Sequence, residues 1–439
     1  MKLRHLLFKP EDHIYMSLWR IFFGLVLLFE TAGSNLVGWT KQVYIDPPRF
    51  TFNFMDFDWL QPLPGDGMYY YFWVMAVLAI CITVGWRYRI AMSLFTIGWA
   101  GLYFMHKTSY NNHHYLMLLL CLMMVFTPGH SNLSYDAKQG RVQRRDHLPA
   151  LYRWSYIVLL LIVYTYASVA KWYPDWTSGR VTELMFSHKS DIPVIGIIYT
   201  WPITSVLVAW GGILFDLLVI PFLLWKRTRV VTFWIAVVFH MFNSITFQIG
   251  TFPYMMIASM ALFFPAPKVR KFFRQPEAKP DANYALPGQN FQRLATSIFV
   301  LFMTIQVLLP LRHHLIEGSV YWTEEGHKLS WRMMLRSKQG NIHFRIIDAQ
   351  GKLISHSVRE DLTPSQYRNM ATHPDQIWQY CQFLKKTYGN DIEIYVLSWV
   401  SLNGRKFQQL IDPKVDMAKA QWHRYKHESW ILPIDWSLQ

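Results

Sequence analysis

The sequence predicts a mainly α-helical polytopic membrane domain followed by a smaller C-terminal α+β domain. Three observations support this fold class. Hydrophobic residues make up 52% of the 439 residues and charged residues only 16%, a composition typical of membrane proteins. About nine apolar stretches approach the roughly 20 residues needed to cross a bilayer. From residue 311 onward, strand-like alternation of apolar and polar residues replaces the long apolar runs, which indicates a soluble domain.

The apolar stretches that predict membrane helices all lie before residue 311. They cover residues 14–32, 68–86, 90–106, 113–127, 154–170, 203–225, 230–248, 250–265 and 292–310. The fourth and the eighth are short, so we expect them to be re-entrant or to pack tightly against neighbouring helices. The basic N-terminal segment is not followed by a small-residue cleavage site, and we interpret the first apolar run as a retained helix.

The distribution of positive charge predicts the orientation in the membrane. If the N-terminus lies inside, the inner segments hold roughly three times as many Lys and Arg residues as the outer loops up to residue 250, which follows the positive-inside rule. These basic residues form short clusters between apolar spans. The net charge of +15 therefore indicates a bilayer partner, and no nucleic-acid partner is predicted.

Residues 311–439 are predicted to form an extracytoplasmic domain, and residues 1–310 the membrane domain. Strand-like alternation marks residues 340–348 and 391–400. A segment with helix-start signals begins at Thr363 and runs to about Lys386. Cys381 is the only cysteine in this part of the chain, so no disulfide framework is expected.

Several nitrogen-bearing side chains lie at the predicted outer ends of three membrane helices. Asn112 and His113 begin the fourth helix, Lys171 ends the fifth, and His240 and Asn243 lie three residues apart in the seventh. Ionisable groups in membrane spans usually face the bundle interior and mark a functional path. We therefore expect a polar cavity in the outer leaflet, covered by the soluble domain.

Each of these residues also has a structural interpretation. Lys171 is placed like an anchor that extends its amine to the interface, and His240 with Asn243 suits an interhelical hydrogen bond. Glu30 and Asp216 are assigned to structural pairs with Arg20 or with helix ends. Neither catalytic sequence motifs nor ligand spacing for a metal ion occur. These patterns do not name a reaction.

Specific sequence blocks resemble the vitamin K-dependent gamma-glutamyl carboxylase family and its bacterial relatives, whose membrane part is called the horizontally transferred transmembrane domain. The membrane blocks are Lys107–His113, Ala170–Trp176, Phe239–Ser244 and Gly250–Ser259, and the C-terminal blocks are Ser330–Met334, Trp399–Asn403 and Asp412–Asp416. The resemblance covers nearly the whole chain. Relatives with other activities share the membrane blocks, whereas the Trp-x-Met-Met and Asp-Pro-Lys-Val-Asp blocks favour the carboxylase.

The resemblance implies a reaction and roles for matching residues. It implies that Lys171 deprotonates a vitamin K hydroquinone, and that O2 converts the quinol to an epoxide by way of a strong base. That base removes the γ-proton of a peptide glutamate, and the carbanion captures CO2. Asn112, His113 and His240 match residues around the quinol. A lysine is a usable base at neutral pH only where desolvation disfavours its ammonium form. We expect the apolar span before Lys171 and the rings of Trp172, Tyr173 and Trp176 to do so.

The resemblance also implies substrate contacts from the C-terminal domain. Trp331, Met333 and Met334 match residues close to the quinol and glutamate sites, and Trp322 lies in the segment linked to glutamate recognition. His327 and Arg336 occupy positions where animal enzymes have a tyrosine and a histidine. The predicted catalytic residues are Lys171, His113, Asn112 and His240. The predicted substrate- or quinol-binding residues are Trp322, His327, Trp331, Met333, Met334, Arg336 and Asn243.

The implied cofactor is vitamin K hydroquinone or a menaquinol-type quinol, with O2 and CO2 as co-substrates. The implied partners are a Glu-containing peptide or protein, the bilayer and a quinone-reducing enzyme. The membrane would be the inner membrane in a bacterium or the endoplasmic reticulum in a eukaryote. Two alternatives remain: a quinol epoxidase that does not carboxylate protein, and a non-catalytic transport or assembly factor. A transporter should show an internal repeat, and none is visible.

Overall fold

The computed structural model describes residues 2–46, 49–187, 189–193, 195–278, 284 and 286–438. Its larger part is a bundle of helices. The main helices are α1 (Ile14–Leu36), α2 (Gly67–Val84), α3 (Tyr88–Met105), α4 (Asn112–Phe126), α5 (Ala150–Val169), α6 (Pro202–Leu224), α7 (Arg229–Phe247), α8 (Phe252–Ser259) and α9 (Gln289–Leu308). Short helices connect them: Lys2–Phe8, Tyr135–Lys138, Pro174–Thr177, Arg180–Phe186 and Ala266–Phe272. Every apolar stretch predicted from the sequence thus forms a helix.

Length and apolar composition separate these helices into two groups. Within the described residues, six helical segments are long and apolar enough to cross a membrane. They are Ile14–Leu36, Gly67–Val84, Ala150–Val169, Pro202–Leu224, Arg229–Phe247 and Gln289–Leu315. The helices at the fourth and eighth predicted positions are shorter, as their sequences suggested. The polytopic membrane domain is confirmed, with six clear spans in place of about nine.

Helix α1 lies at the centre of the bundle. Of its most apolar stretch, 67% is buried inside the protein, against 17–56% of the corresponding stretch in the other spans. Its fully buried Arg20 forms no ion pair with an acid in the described part of the chain. The guanidinium donates hydrogen bonds to the backbone carbonyls of Ile82, Gly129 and Leu133 at 2.6–3.1 Å. Of the two partners predicted for Glu30 and Asp216, Arg20 is therefore wrong, which leaves the predicted pairing with helix ends.

The C-terminal part is built on a four-stranded antiparallel sheet with the order β2-β1-β3-β4. Its strands are β1 (Lys338–Ile347), β2 (Leu353–Ile354), β3 (Glu393–Leu402) and β4 (Gln408–Gln409). The two long strands pair from Lys338 opposite Leu402 to Ile347 opposite Glu393. The strand predictions are confirmed to within two residues. The α+β character of this part of the chain is confirmed with them.

The helix predicted from Thr363 to Lys386 is divided into α10 (Pro364–Met370) and α11 (Pro374–Tyr388). Thr363 forms the expected N-terminal capping box with Gln366. A single helix was wrong because Pro374 has no N–H to continue the hydrogen-bond ladder of α10. Ile377, Tyr380 and Leu384 of α11 pack in one buried cluster with the inner face of β3.

Candidate active site

A cavity of about 790 Å³ lies between segment 327–336 of the C-terminal part and the ends of α4–α8 that are nearest to this segment. Most of its wall is apolar or aromatic. Nine of the eleven predicted site residues line it: Asn112, His113, Lys171, His240, Asn243, His327, Met333, Met334 and Arg336. The structure therefore brings together residues that are up to 224 positions apart in the chain, from both predicted domains.

Lys171 lies just beyond the C-terminal end of α5 and is 8% exposed. Its Nζ donates to the carboxylate Oδ2 of Asp216 at 2.6 Å and to the backbone oxygen of Ala167 at 2.9 Å. Asp216 belongs to α6 and is 7% exposed. A buried acid thus holds the amine in one geometry. This excludes the interpretation of Lys171 as an anchor whose amine is solvated at the membrane interface.

The aromatic surroundings of Lys171 differ in part from the prediction. The ring of Trp176 is buried, and its centroid lies 5.5 Å from Nζ. Trp172, in contrast, is 55% exposed and is not among the described residues that line the cavity. Tyr173 stacks on Tyr321 of the C-terminal part, with ring centroids 4.1 Å apart. Desolvation of the amine therefore comes from Trp176 and the bundle, and Trp172 has no part in it.

His240 and His113 both present ring nitrogens without protein partners to the cavity. The Nε2 of His240 lies 2.9 Å from the hydroxyl of Tyr164, whereas its Nδ1 has no hydrogen-bond partner among the described residues. This bond joins α7 to α5, so the interhelical hydrogen bond expected of His240 is made, with Tyr164 as its partner. In the described part of the chain, the ring of His113 contacts Phe252 and makes no hydrogen bond. These imidazoles are free to bond a ligand.

Asn112 and His114 have protein partners. The Asn112 amide nitrogen donates to the backbone oxygen of Arg332 at 2.9 Å, and its oxygen accepts from Tyr110 at 3.1 Å. Asn112 therefore joins α4 to the C-terminal part at the cavity wall. His114 lies on the other side of α4, where its Nε2 is 3.1 Å from Glu30. His114 is therefore the buried partner of Glu30, and the sequence did not reveal this pair.

The segment that covers the cavity has an unusual backbone. Glu324, Leu329, Trp331 and Met334 all have positive φ angles of 50–63°. For residues other than glycine, such conformations cost about 1–3 kcal/mol each and cluster at functional sites, where surrounding contacts must enforce them. The covering segment is thus held in a strained shape against the bundle.

Ion pairs hold one end of this segment. Glu324 accepts hydrogen bonds from both Nε and Nη2 of Arg336, with Nε 2.6 Å from Oε1, and the Nζ of Lys338 lies 3.1 Å from the same Oε1. Burial alone would raise the pKa of Glu324, but the charges of Arg336 and Lys338 outweigh it and hold the pKa well below its usual range. Burial and the charge of Arg336 lower the pKa of His327, so this ring is neutral.

Two predicted site residues lie away from the cavity wall. Trp331 is fully buried beneath the covering segment and stacks on Tyr115 of α4, with ring centroids 4.8 Å apart. Trp322 packs in the core of the C-terminal part and donates to the backbone oxygen of Leu432 at 2.7 Å. Both indoles are large apolar groups that fill the core behind the site, so direct substrate contact by either is not supported.

The C-terminal part is fastened to the turn that carries Lys171. Asp175 pairs with Nη2 of Arg405 at 2.7 Å and accepts from the amide of Asn403 at 2.7 Å. Tyr321 donates its hydroxyl proton to the backbone oxygen of Ala170 at 2.8 Å, one residue before the lysine. The position of the amine thus depends on contacts from both halves of the chain.

Two family models match the chain. The HTTM domain matches residues 8–267, and the vitamin K-dependent gamma-carboxylase lumenal domain matches residues 291–436. An HTTM membrane half followed by this lumenal half defines the class of protein. The chain belongs to the vitamin K-dependent gamma-carboxylase family and is an integral membrane protein. No solved structure matches it.

The sequence did not identify several polar residues of the site. Asp216 was assigned to a pair elsewhere, although an acid within an otherwise apolar helix is itself a signal of function. Tyr164 was hidden in an apolar run, because tyrosine is common in such segments. Arg332, which is 6% exposed and lines the cavity, gave no signal beyond its place in the Trp-x-Met-Met block.

Proposed function

We propose that this protein is a membrane γ-glutamyl carboxylase that couples carboxylation of a peptide glutamate to epoxidation of a reduced vitamin K. The observation that carries the proposal is the buried Lys171–Asp216 pair, which lies in one cavity with unpartnered imidazole nitrogens and with residues from the lumenal half. In this proposal residues 1–310 hold the quinol, and residues 311–439 contribute to binding of the glutamate.

The cavity has the properties that a quinol with an apolar tail requires. Its volume of about 790 Å³ lies within the roughly 300–1,000 Å³ of small-molecule sites. The ring nitrogens of His113 and His240 offer hydrogen bonds to quinol hydroxyls. Leu207 and Val238, which line the cavity from α6 and α7, are 63% and 67% exposed on the outer surface of the bundle. An isoprenoid chain can therefore extend between these helices into lipid.

Proton transfer is assigned to Lys171 and its partner. When Lys171 accepts the proton of a quinol hydroxyl, it becomes an ammonium ion in a buried site. Asp216 at 2.6 Å compensates that charge, and a buried charge without a partner would be strongly destabilised. Tyr164 bonds to Nε2 of His240, which leaves Nδ1, unpartnered among the described residues, to bond a quinol hydroxyl. A reduced vitamin K bound in this cavity would supply, on oxidation by O2, the base for removal of the glutamate γ-proton and addition of CO2.

The cavity also limits access of water. A base strong enough to remove a γ-proton would otherwise be quenched by solvent. Met333 and Met334 supply apolar side chains on the covering side of the cavity, and the strained segment 324–334 holds them there. The peptide is then expected to approach from the face of the lumenal half, which we place outside the cytoplasm. A quinone-reducing enzyme must regenerate the quinol.

The proposal is tested with purified full-length protein, vitamin K hydroquinone, labelled CO2 and a short glutamate peptide. We expect labelled peptide and vitamin K epoxide together. Epoxide without labelled peptide would instead support a quinol epoxidase, and neither product would support a non-catalytic factor. Lys171→Ala should abolish epoxide formation, with partial rescue by a small added amine, whereas Lys268→Ala at an exposed position should not. Full activity of Lys171→Ala would disprove the assigned base.

A further inference from the structure

Arg332 differs from the other lysine and arginine residues that line the cavity because it forms no ion pair with an acid among the described residues. Lys171 is paired with Asp216, and Arg336 is paired with Glu324. Arg332 is 6% exposed, and its Nε and Nη2 have no hydrogen-bond partner among the described residues. A buried guanidinium without an anion is costly, which indicates that a ligand completes the site.

The unpartnered nitrogens define the kind of ligand. Nε and Nη2 form one edge of the planar guanidinium, and this edge binds a carboxylate through two parallel hydrogen bonds. The protein itself provides the comparison, since Arg336 uses the same two nitrogens to bind both oxygens of Glu324. Arg332 has the same edge, formed by Nε and Nη2, but no carboxylate of the described residues bonds to it.

Neighbouring contacts fix Arg332 at the cavity wall. Asn112 holds its backbone oxygen at 2.9 Å. The guanidinium carbon lies 4.4 Å from the ring centroid of Tyr321, and Nη1 lies 3.4 Å from Nε2 of His313. Because Tyr321 bonds to the backbone of Ala170, the guanidinium stands on the side of the cavity nearest the Lys171 turn.

We propose that Arg332 binds the side-chain carboxylate of the substrate glutamate through its Nε–Nη2 edge. This assignment rests on the proposed function and adds the residue that selects an acidic side chain. Among the described lysines and arginines of the cavity wall, Arg332 alone lacks an acid partner, and a carboxylate would neutralise its charge. An uncharged glutamine side chain of the same shape would leave it unpaired, so the cavity distinguishes the two.

The test compares binding of a glutamate peptide and the matching glutamine peptide to full-length protein in nanodiscs. Wild type should bind the glutamate peptide more tightly by about ten- to hundred-fold, the range of a hydrogen-bonded charge pair. Arg332→Gln should lose most of this preference, and Arg332→Lys should retain part of it. Arg359→Gln, which removes the same charge from an exposed position of the lumenal half, should behave like wild type.

Kinetic measurements separate a substrate contact from a structural role. Arg332→Gln should raise the KM for the glutamate peptide by a similar factor and leave the KM for the quinol unchanged. An unchanged preference for glutamate in both Arg332 variants would overturn the assignment. If wild type binds the glutamate peptide selectively but forms no labelled product, the proposed function fails while the carboxylate site stands.

Discussion

Replacement of Asp216 by asparagine isolates the contribution of the buried acid to the reactivity of Lys171. The two side chains are joined at 2.6 Å, and both are less than 9% exposed. Asparagine keeps the shape of aspartate and removes its charge. The ammonium ion that Lys171 forms on accepting a proton then has no anion beside it.

The expected size of the effect follows from the burial of the pair. Loss of one partner from a buried ion pair costs about 3–5 kcal/mol. Since each 1.36 kcal/mol is a factor of ten in rate, a loss of about 3–4 kcal/mol in the transition state corresponds to a decrease of roughly 10²–10³ in kcat for epoxide formation. The KM for the quinol should change little, because the uncharged quinol does not bind the aspartate.

The assay measures epoxide formation at saturating quinol in Asp216→Asn and in Asp66→Asn. Asp66 is exposed, and its side chain makes no capping bond at the start of α2, so the same chemical change there should be silent. In a Lys171→Ala background rescued by a small amine, the Asp216 change should have a smaller effect, because the fixed geometry is already lost. A rate for Asp216→Asn within twofold of wild type would refute this account.

Three further outcomes are expected. His240→Gln should raise the KM for the quinol by about tenfold, the loss of one hydrogen bond, and an unchanged quinol saturation curve would contradict its assigned contact. Arg405→Met leaves Asp175 buried without its cation, so thermal unfolding should show a Tm lower by several degrees, and an equal Tm would exclude the pair as a fastening. Burial lowers the pKa of His373 from 6.5 to about 4. Between these values the unfolded chain binds a proton that the folded protein does not, so stability should fall by up to about 3 kcal/mol as pH decreases from 6.5 to 4. His373→Gln should weaken the dependence of Tm on pH in that range. The same dependence in the variant and in wild type would contradict the assignment of this pH effect to His373.

The membrane bundle was predictable because a helix that crosses a bilayer needs a long apolar segment, and such a segment can be recognised from consecutive residues of the sequence. The strands of the C-terminal part were predictable for a related reason, since burial of one sheet face imposes alternation. The break before α11 was less visible. Pro374 marks it, but the capping signals at Thr363 and the apolar pattern beyond favoured one continuous helix.

Within the site, residue types were easier to predict than partners. A lysine at the end of an apolar helix is conspicuous, whereas its pairing with Asp216 depends on how α5 and α6 are rotated against each other. The same limit explains Trp331, whose block of sequence lies at the cavity while its own ring points into the core behind. The missing acid partner of Arg332 could be recognised only from the structure, which shows the partners of the neighbouring charged residues.

The fastening of the Lys171 turn by Asp175, Arg405 and Asn403 has a consequence for biosynthesis. A ribosome completes the turn long before it reaches residue 403, so the nascent membrane half contains the lysine without the contacts that fix the turn. In the proposed carboxylase, the base acquires its geometry only after the last strands have formed. In that proposal, the order of the two halves along the chain would limit wasteful quinol oxidation by incomplete molecules.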